Sequence, residues 1–313
     1  QRQADPQHHA GAHHDPDHSG GAGHKEHGAP LHGEEEPAEA SEGGEHPAYA
    51  EAADQARRMA TWLKAQGWPE GSRVAIIGKN SAHWILADLA ILMAGYVSVP
   101  IYPTFNGEAL AYILAHSEAK ACFVGKMDGV ENLETGIPAD MPLITMPLAP
   151  MRKSLLWTDL LAHNAPLAGT PAPPMDALCT IIYTSGTTGK PKGVVQTFRA
   201  IAWALSSATR RVKMGDNERY ISYLPLAHVA ERMLIEQGAL RFGGHIFFAE
   251  SLDTFVQDLQ RARPTVFFSV PRLWVKFQQG VFAKMPAKKL KRLLGIPLIG
   301  GIVRRKILKG LGL

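Results

Sequence analysis

The chain has 313 residues, 45% of them hydrophobic and 20% charged, with two cysteines and a formal net charge of +4. That length and apolar content allow a large buried core in two or more subdomains, and they exclude a small disulfide-stapled scaffold. The modest net charge hides an asymmetry, because residues 1–50 hold ten acidic and two basic side chains and leave a net +12 on the rest.

Residues 1–48 are rich in His, Gly, Ala, Glu and Pro, with nine of the fourteen histidines and almost no large apolar side chain. Nothing there offsets the entropy of ordering, so a disordered low-complexity segment is expected. Its histidines form no repeated ligand pair at helical or zinc-ribbon spacing, which argues against a metal site. An out-of-frame translation at the edge of a partial gene is the other account. Gln1 in place of an initiator methionine leads to the expectation of a partial chain, and no secretory signal pattern is visible.

From Tyr49 the pattern changes. Ala52, Ala56, Met59, Ala60 and Leu63 recur at helical spacing up to Gly67. A turn at Trp68–Gly71, a buried strand at Arg73–Ile77, a helix at Ser81–Ala94 and a strand at Val97–Tyr102 follow. A helix through Tyr112–His116 and a strand at Ala121–Val124 complete a first αβ block over residues 49–125. The apolar stretch Trp84–Val99 is interrupted by Asp88 and Gly95 and falls short of the roughly 20 residues a membrane span needs. Residues 126–175, rich in Pro, Met and Gly, are expected to form a connecting region.

A second αβ block over 176–313 is predicted as strand 178–183, a glycine-rich loop, helix 198–211, strand 219–224, helix 229–241, strand 244–248, helix 253–262 and strand 265–269. Strands alternating with helices of this length indicate βαβ units around a largely parallel sheet. Cys122 and Cys179, far apart in apolar strand-like runs, fit two buried thiols in a reducing, cytoplasmic compartment. After Asp258 there are thirteen Lys or Arg and no acidic residue. Such a tail suits contact with an anionic surface, or else has its acidic partners in sequence not present here.

The loop Tyr183–Val194 concentrates hydroxyls, glycines and lysines directly after a strand. Gly186, Gly189 and Gly193 are expected to allow positive φ and close backbone approach, so that N–H groups converge on anionic oxygens as a nest. Thr184, Ser185, Thr187 and Thr188 add hydroxyl donors, and Lys190 and Lys192 add compact positive charge. The glycine spacing and Pro191 exclude a Walker A loop. A second motif, Ser222–His228, leaves a strand and turns at Pro225, where α/β folds bind ligands. There His228 either contacts a substrate or caps the following helix.

The run Thr184–Lys192 resembles the signature loop of the adenylate-forming superfamily, which includes acyl-CoA synthetases, luciferases and the adenylation domains of peptide synthetases. LPLAHVAERM from Leu224, SVPRLWVKF from Ser269 and the stretch Ile77–Thr104 are similar to its long-chain fatty-acyl-CoA synthetase branch. The resemblance covers residues 49–313. It implies an α/β fold of stacked βαβ sheets, the superfamily's N-terminal domain, incomplete at the C-terminus and with the small C-terminal domain absent.

It also implies ATP-dependent activation of a fatty acid to acyl-adenylate and then acyl-CoA, with ATP, Mg2+ and coenzyme A as cofactor and substrates. Phosphate contacts then fall to Thr184, Ser185, Gly186, Thr187, Thr188, Gly189, Lys190 and Lys192, and His228 to the acid. Trp274 and Phe277 are candidates for an acyl tunnel, with core packing the favoured role. No residue matches the family's downstream motifs for adenine, magnesium, ribose, hinge and adenylating lysine. No catalytic residue or metal ligand is therefore assigned, and the polypeptide alone is expected to be unstable or inactive. No nucleic-acid partner is expected. The expected location is cytoplasmic or peripheral at the inner membrane surface. Activation of another carboxylic acid and a non-catalytic nucleotide-binding module are the alternatives.

Overall fold

The structure is a computed structural model that describes residues 49–151, 155–184, 190–212, 214–215 and 217–313. Helix α1 (Tyr49–Ala65) buries Ala56, Met59, Ala60 and Leu63, the stripe expected from its spacing. The turn after it uses glycines at φ +68° (Gly67) and +76° (Gly71), a region that favours residues without a Cβ. Strand β1 (Arg73–Ile77) leads to α2 (Ala82–Met93), whose cap Ser81 accepts the Trp84 N–H at 3.2 Å. Then come β2 (Val97–Ile101), α3 (Gly107–His116), β3 (Cys122–Val124), α4 (Glu131–Gly136), β4 (Leu143–Thr145), β5 (Leu155–Leu156) and α5 (Trp157–His163). Strands β6 (Leu178–Thr184) and β7 (Lys192–Thr197) complete one sheet in the order β5-β4-β3-β1-β2-β6-β7. Every pair in it is parallel except β6 with β7.

Alternation along the strands sends side chains to two cores. Val74 and Ile76 pack with α1, α2 and Trp157 of α5, while Ala75 and Ile77 pack with Leu110 and Ile113 of α3 and Leu133 of α4. Pro100 sits inside β2, which looks costly because proline cannot donate to a ladder. Val97 N–H donates to Ser72 O, so odd-numbered N–H groups of β2 face β1 and the missing donor faces β6. There the pairing is confined to Ser98 with Thr180.

The chain continues through α6 (Phe198–Arg211), β8 (Arg219–Ser222), α7 (Val229–Glu231), a π-helical turn Arg232–Glu236, α8 (Gln237–Phe242) and β9 (His245–Phe248). After these come α9 (Phe255–Ala262), α10 (Pro271–Lys284), α11 (Ala287–Leu294) and α12 (Ile299–Leu311). Strands β8 and β9 form a small parallel sheet, joined by a single bridge from Tyr220 to Val266.

Several elements differ from expectation. Residues 126–175 hold β4 and β5, which extend the parallel sheet, and the strand expected at 265–269 is only the bridge at Val266. Gly193 stands in an extended strand rather than at positive φ; its glycine is explained by space, since a Cβ there would lie 2.9 Å from the Ile181 side chain. Phe277 is core, but Trp274 is 46% exposed and meets Phe267 and Phe277 edge-on. Both cysteines are free and buried, and burial pushes the Cys122 thiol up to about 12 and the Cys179 thiol to about 11.

Candidate nucleotide and acid site

Strands β6 and β7, on either side of the glycine-rich run, pair as an antiparallel hairpin. Thr184 at the end of β6 pairs with Lys192 at the start of β7, and both are exposed. This departs from a strand-to-helix connection: Lys192–Thr197 runs back along β6, and α6 begins only at Phe198. Ser185, Gly186, Thr187, Thr188 and Gly189 lie outside the described residues. On the far side of that gap the Lys190 ammonium lies 5.6 Å from the centroid of the Tyr112 ring on α3. Tyr112 is one helical turn from His116, whose Nδ1 lies 2.7 Å from the hydroxyl of buried Tyr183. Among the described residues neither Lys190 nor Lys192 is paired with a carboxylate, so both present positive charge.

Thr184 marks the carboxyl edge of the parallel sheet, and two contacts bring the carboxyl ends of β8 and β9 to the same edge. Asn80, just past β1, donates from Nδ2 to Ser222 Oγ at 2.8 Å and to Leu224 O at 2.6 Å, and its Oδ1 accepts the Leu226 N–H at 2.9 Å. Lys126, just past β3, pairs with Glu250 past β9 at 2.5 Å. The strand order reverses between β1 and β3, with α2 and α3 on opposite faces, so this edge is the kind of crevice where open α/β sheets bind ligands. Gly78 and Gly125 line its floor. A Cβ on Gly78 would come within 3.0 Å of the Gly125 Cα.

The Asn80 clamp shapes the turn that ends in His228. His228 is exposed, and its Nδ1 accepts the Ala230 N–H at 3.1 Å, so it caps α7. Accepting at Nδ1 places the proton of the neutral ring on Nε2, which leaves a donor for a ligand. Capping and substrate contact are therefore compatible roles for this one side chain.

Beneath the turn lies a buried charged cluster. Arg232 pairs with Asp88 on α2, which also accepts from the Ser98 hydroxyl. Its Nη1 donates to Thr180 Oγ1 at 2.7 Å, its Nε stands 3.6 Å from Glu236 Oε2, and its guanidinium lies 5.9 Å from the Trp84 ring. Burial works against the Arg232 charge, but the Asp88 and Glu236 carboxyls outweigh it and hold its pKa above the ordinary value. Burial, with the Asp88 charge, pushes Glu236 well above the usual carboxylate range. One guanidinium thus sits between two buried acidic side chains, and burial disfavours charge on Glu236. The π-helical turn brings both Arg232 and Glu236 to Asp88, and it ties β6, four residues before Thr184, to the element that follows His228.

Glu231, also buried, accepts the Tyr223 N–H at 2.9 Å. Burial pushes its pKa up to about 7, opposed by hydrogen bonds from the Ser222 side chain and the Tyr223 and Leu224 backbone.

Of the expected site residues, the structure brings Thr184, Lys190 and Lys192 together at the hairpin and sets His228 on the clamped turn. Asn80, Asp88, Tyr112, His116, Glu231, Arg232 and Glu236 were not singled out for the site. A signal existed for Asp88, a carboxylate inside an apolar helix, since such a group is rarely buried unpaired. Among the described residues no group of three His, Cys, Asp or Glu side chains is arranged to hold a metal ion.

A family profile described as AMP-binding enzyme matches residues 29–308. Over 250 residues the chain is 33% identical to the peroxisomal long chain acyl-CoA synthetase 6 of Arabidopsis thaliana, covering 74% of this chain and 35% of that protein. It is 29% identical over 277 residues to the human long-chain-fatty-acid–CoA ligase ACSBG2, covering 82% and 41%. The fold is similar to the A domain of a carboxylic acid reductase from Segniliparus rugosus, solved with AMP and a co-purified carboxylic acid, at TM-score 0.64 and 23% identity over 84% of this chain and 47% of that one. The chain therefore spans well under half the length of the curated relatives it matches.

Proposed function

The chain belongs to the AMP-binding enzyme family, and on that premise we propose that it carries the nucleotide-facing part of a ligase that activates a long-chain fatty acid and passes it to coenzyme A. In the first step a carboxylate oxygen attacks the α-phosphorus of Mg-ATP, the bond to pyrophosphate breaks, and acyl-adenylate forms. In the second the coenzyme A thiolate attacks the acyl carbon and expels AMP. The difficulty is electrostatic: an anion approaches a polyphosphate, so the protein must supply positive charge and pre-oriented donors.

The observation that carries this reading is the hairpin. Thr184, Lys190 and Lys192 offer one hydroxyl and two cations with no carboxylate partner among the described residues, at the carboxyl edge of the sheet, which fits the β- and γ-phosphates and the departing pyrophosphate. Their chemistry suits a polyanion rather than a cation. The long-chain acid is supported by the names of relatives at about 30% identity, and His228, with Nε2 free of its capping role, is assigned to the acid.

The test is ATP–pyrophosphate exchange by the full product of the gene with a panel of carboxylic acids. Lauric to stearic acids are expected to drive exchange. Exchange with aryl acids alone would overturn the fatty-acid assignment, and ATP binding without exchange with any acid would point to a non-catalytic module. Within an active protein, Lys192→Ala and Thr187→Ala are each expected to remove a charge-assisted bond of roughly 1.5–3 kcal/mol, slowing exchange about ten- to hundredfold. Unchanged rates in both would remove the loop from the site.

His228 allows its two roles to be separated. His228→Asn keeps a capping side chain and is expected to raise KM for the acid with stability unchanged, whereas His228→Ala should also cost about 1 kcal/mol through the lost cap. Equal acid KM in wild type and His228→Asn would leave the histidine as a cap only.

A further inference from the structure

The last two helices carry a surface that the nucleotide site does not use. Helix α12 turns Val303, Ile307 and Leu311 inward, with Gly300 buried so tightly that a Cβ would lie 2.5 Å from Leu294 O. Gln260 of α9 donates to Gly310 O at 2.6 Å and fixes the far end. The opposite face is a shallow groove lined by Leu298, Gly301, Ile302, Arg305, Lys306 and Lys309.

Leu298 is 88% exposed and Ile302 67% exposed. Leu298 also holds φ +66° at the tip between α11 and α12, a conformation that costs a branched residue energy. Beside it Ile296 and Ile299 are exposed as well. Around this aliphatic tip stand eight Lys or Arg within residues 287–313, with no acidic residue in that span. Among the described residues none of the eight is ion-paired.

We propose that the α11–α12 hairpin is a docking face for an anionic lipid surface, inserting Leu298 and Ile302 among the acyl chains while the surrounding cations meet headgroup phosphates. Charge complementarity selects the partner, and the aliphatic tip selects a bilayer over a nucleic acid. A nucleic-acid surface would be lined by donors and stacking rings, and would gain nothing from an exposed leucine and isoleucine. No described helix is long and apolar enough to cross a membrane, and the thirteen residues of α12 extend about 20 Å at 1.5 Å per residue, so the helix lies in the interface rather than spanning it. The face is remote in sequence from the hairpin loop and from His228, and the inference stands whichever acid is activated.

The experiment is co-sedimentation of the full gene product with phosphatidylcholine vesicles and with vesicles containing phosphatidylglycerol, at physiological and at high salt. Binding to the anionic vesicles alone, weakened by salt, is expected. The pair Leu298→Ser and Ile302→Ser should lower partitioning at unchanged charge and unchanged fold, because both side chains are exposed. Arg305→Gln with Lys306→Gln should lower it about fivefold per cation. A Leu298→Trp variant should show a blue-shifted emission on the anionic vesicles.

Equal binding to both vesicle types, no binding, or retention of RNA without vesicles would overturn the proposal. So would a tryptophan at 298 already shielded in the lipid-free protein, which would mean that another part of the protein covers the face. Exchange activity is a separate readout. Loss of vesicle binding with exchange retained would defeat this inference and leave the ligase reading intact.

Discussion

Arg232→Ala is expected to destabilise the protein by about 3–5 kcal/mol, the cost of leaving a buried charge without its partner. Asp88 and Glu236 are fully buried, and Arg232 supplies the one cation between them. Its removal leaves Asp88 without its cation, and it takes one hydrogen bond from the Thr180 hydroxyl on the strand that leads into the glycine-rich loop. The loss would appear as a fall in urea midpoint at constant slope. Asp88→Asn in the Arg232→Ala background should recover part of it, because the uncompensated charge is then gone, so the two substitutions must be strongly non-additive. A cost below about 1 kcal/mol, or simple additivity, would show the cluster to be electrostatically slack. Because the cluster joins β6 to the element after His228, the same variant should also disturb the hairpin of β6 and β7.

The second large effect depends on pH. The Glu231 carboxyl titrates at about 7 in the fold, against an ordinary value of 4.5, because burial favours its neutral form. The folded protein therefore holds a proton that the unfolded chain has released between those values. Its contribution is fully present below about pH 4.5 and is lost as pH rises through 7. The gap corresponds to about 3 kcal/mol.

Glu231→Gln keeps an amide oxygen to accept the Tyr223 N–H and removes the titration. Compared with wild type, the variant should gain stability steadily as pH rises, with the difference levelling off above pH 7. Glu236 shifts in the same direction in both proteins, so the difference between the two curves isolates Glu231. Parallel stability–pH curves would show that Glu231 is already ionised in the fold, held by its backbone donors.

Local patterns in this chain were enough for the elements whose stabilising contacts are close in sequence. The apolar stripe of α1, the β1 run, the helices expected at Ser81–Ala94 and 198–211 and the glycine stop at Gly67 depend on neighbours a few residues away, and each is found where its side chains required it. The polar character of the run Thr184–Lys192 was equally plain in the composition, and its assignment to phosphate rests on the proposed function.

What only the tertiary structure decided depends on distant partners. Lys192–Thr197 became a strand because β6 was there to pair with it, and β4 and β5 joined the sheet from a stretch with weak periodicity because β3 offered an open edge. Asn80 became a clamp on the His228 turn, and Asp88 met Arg232, through contacts made across more than a hundred residues of chain. A hydrogen bond within a helical turn is implied by composition. A buried ion pair exists only where two surfaces meet, and the energy that holds it comes from the burial that the meeting creates.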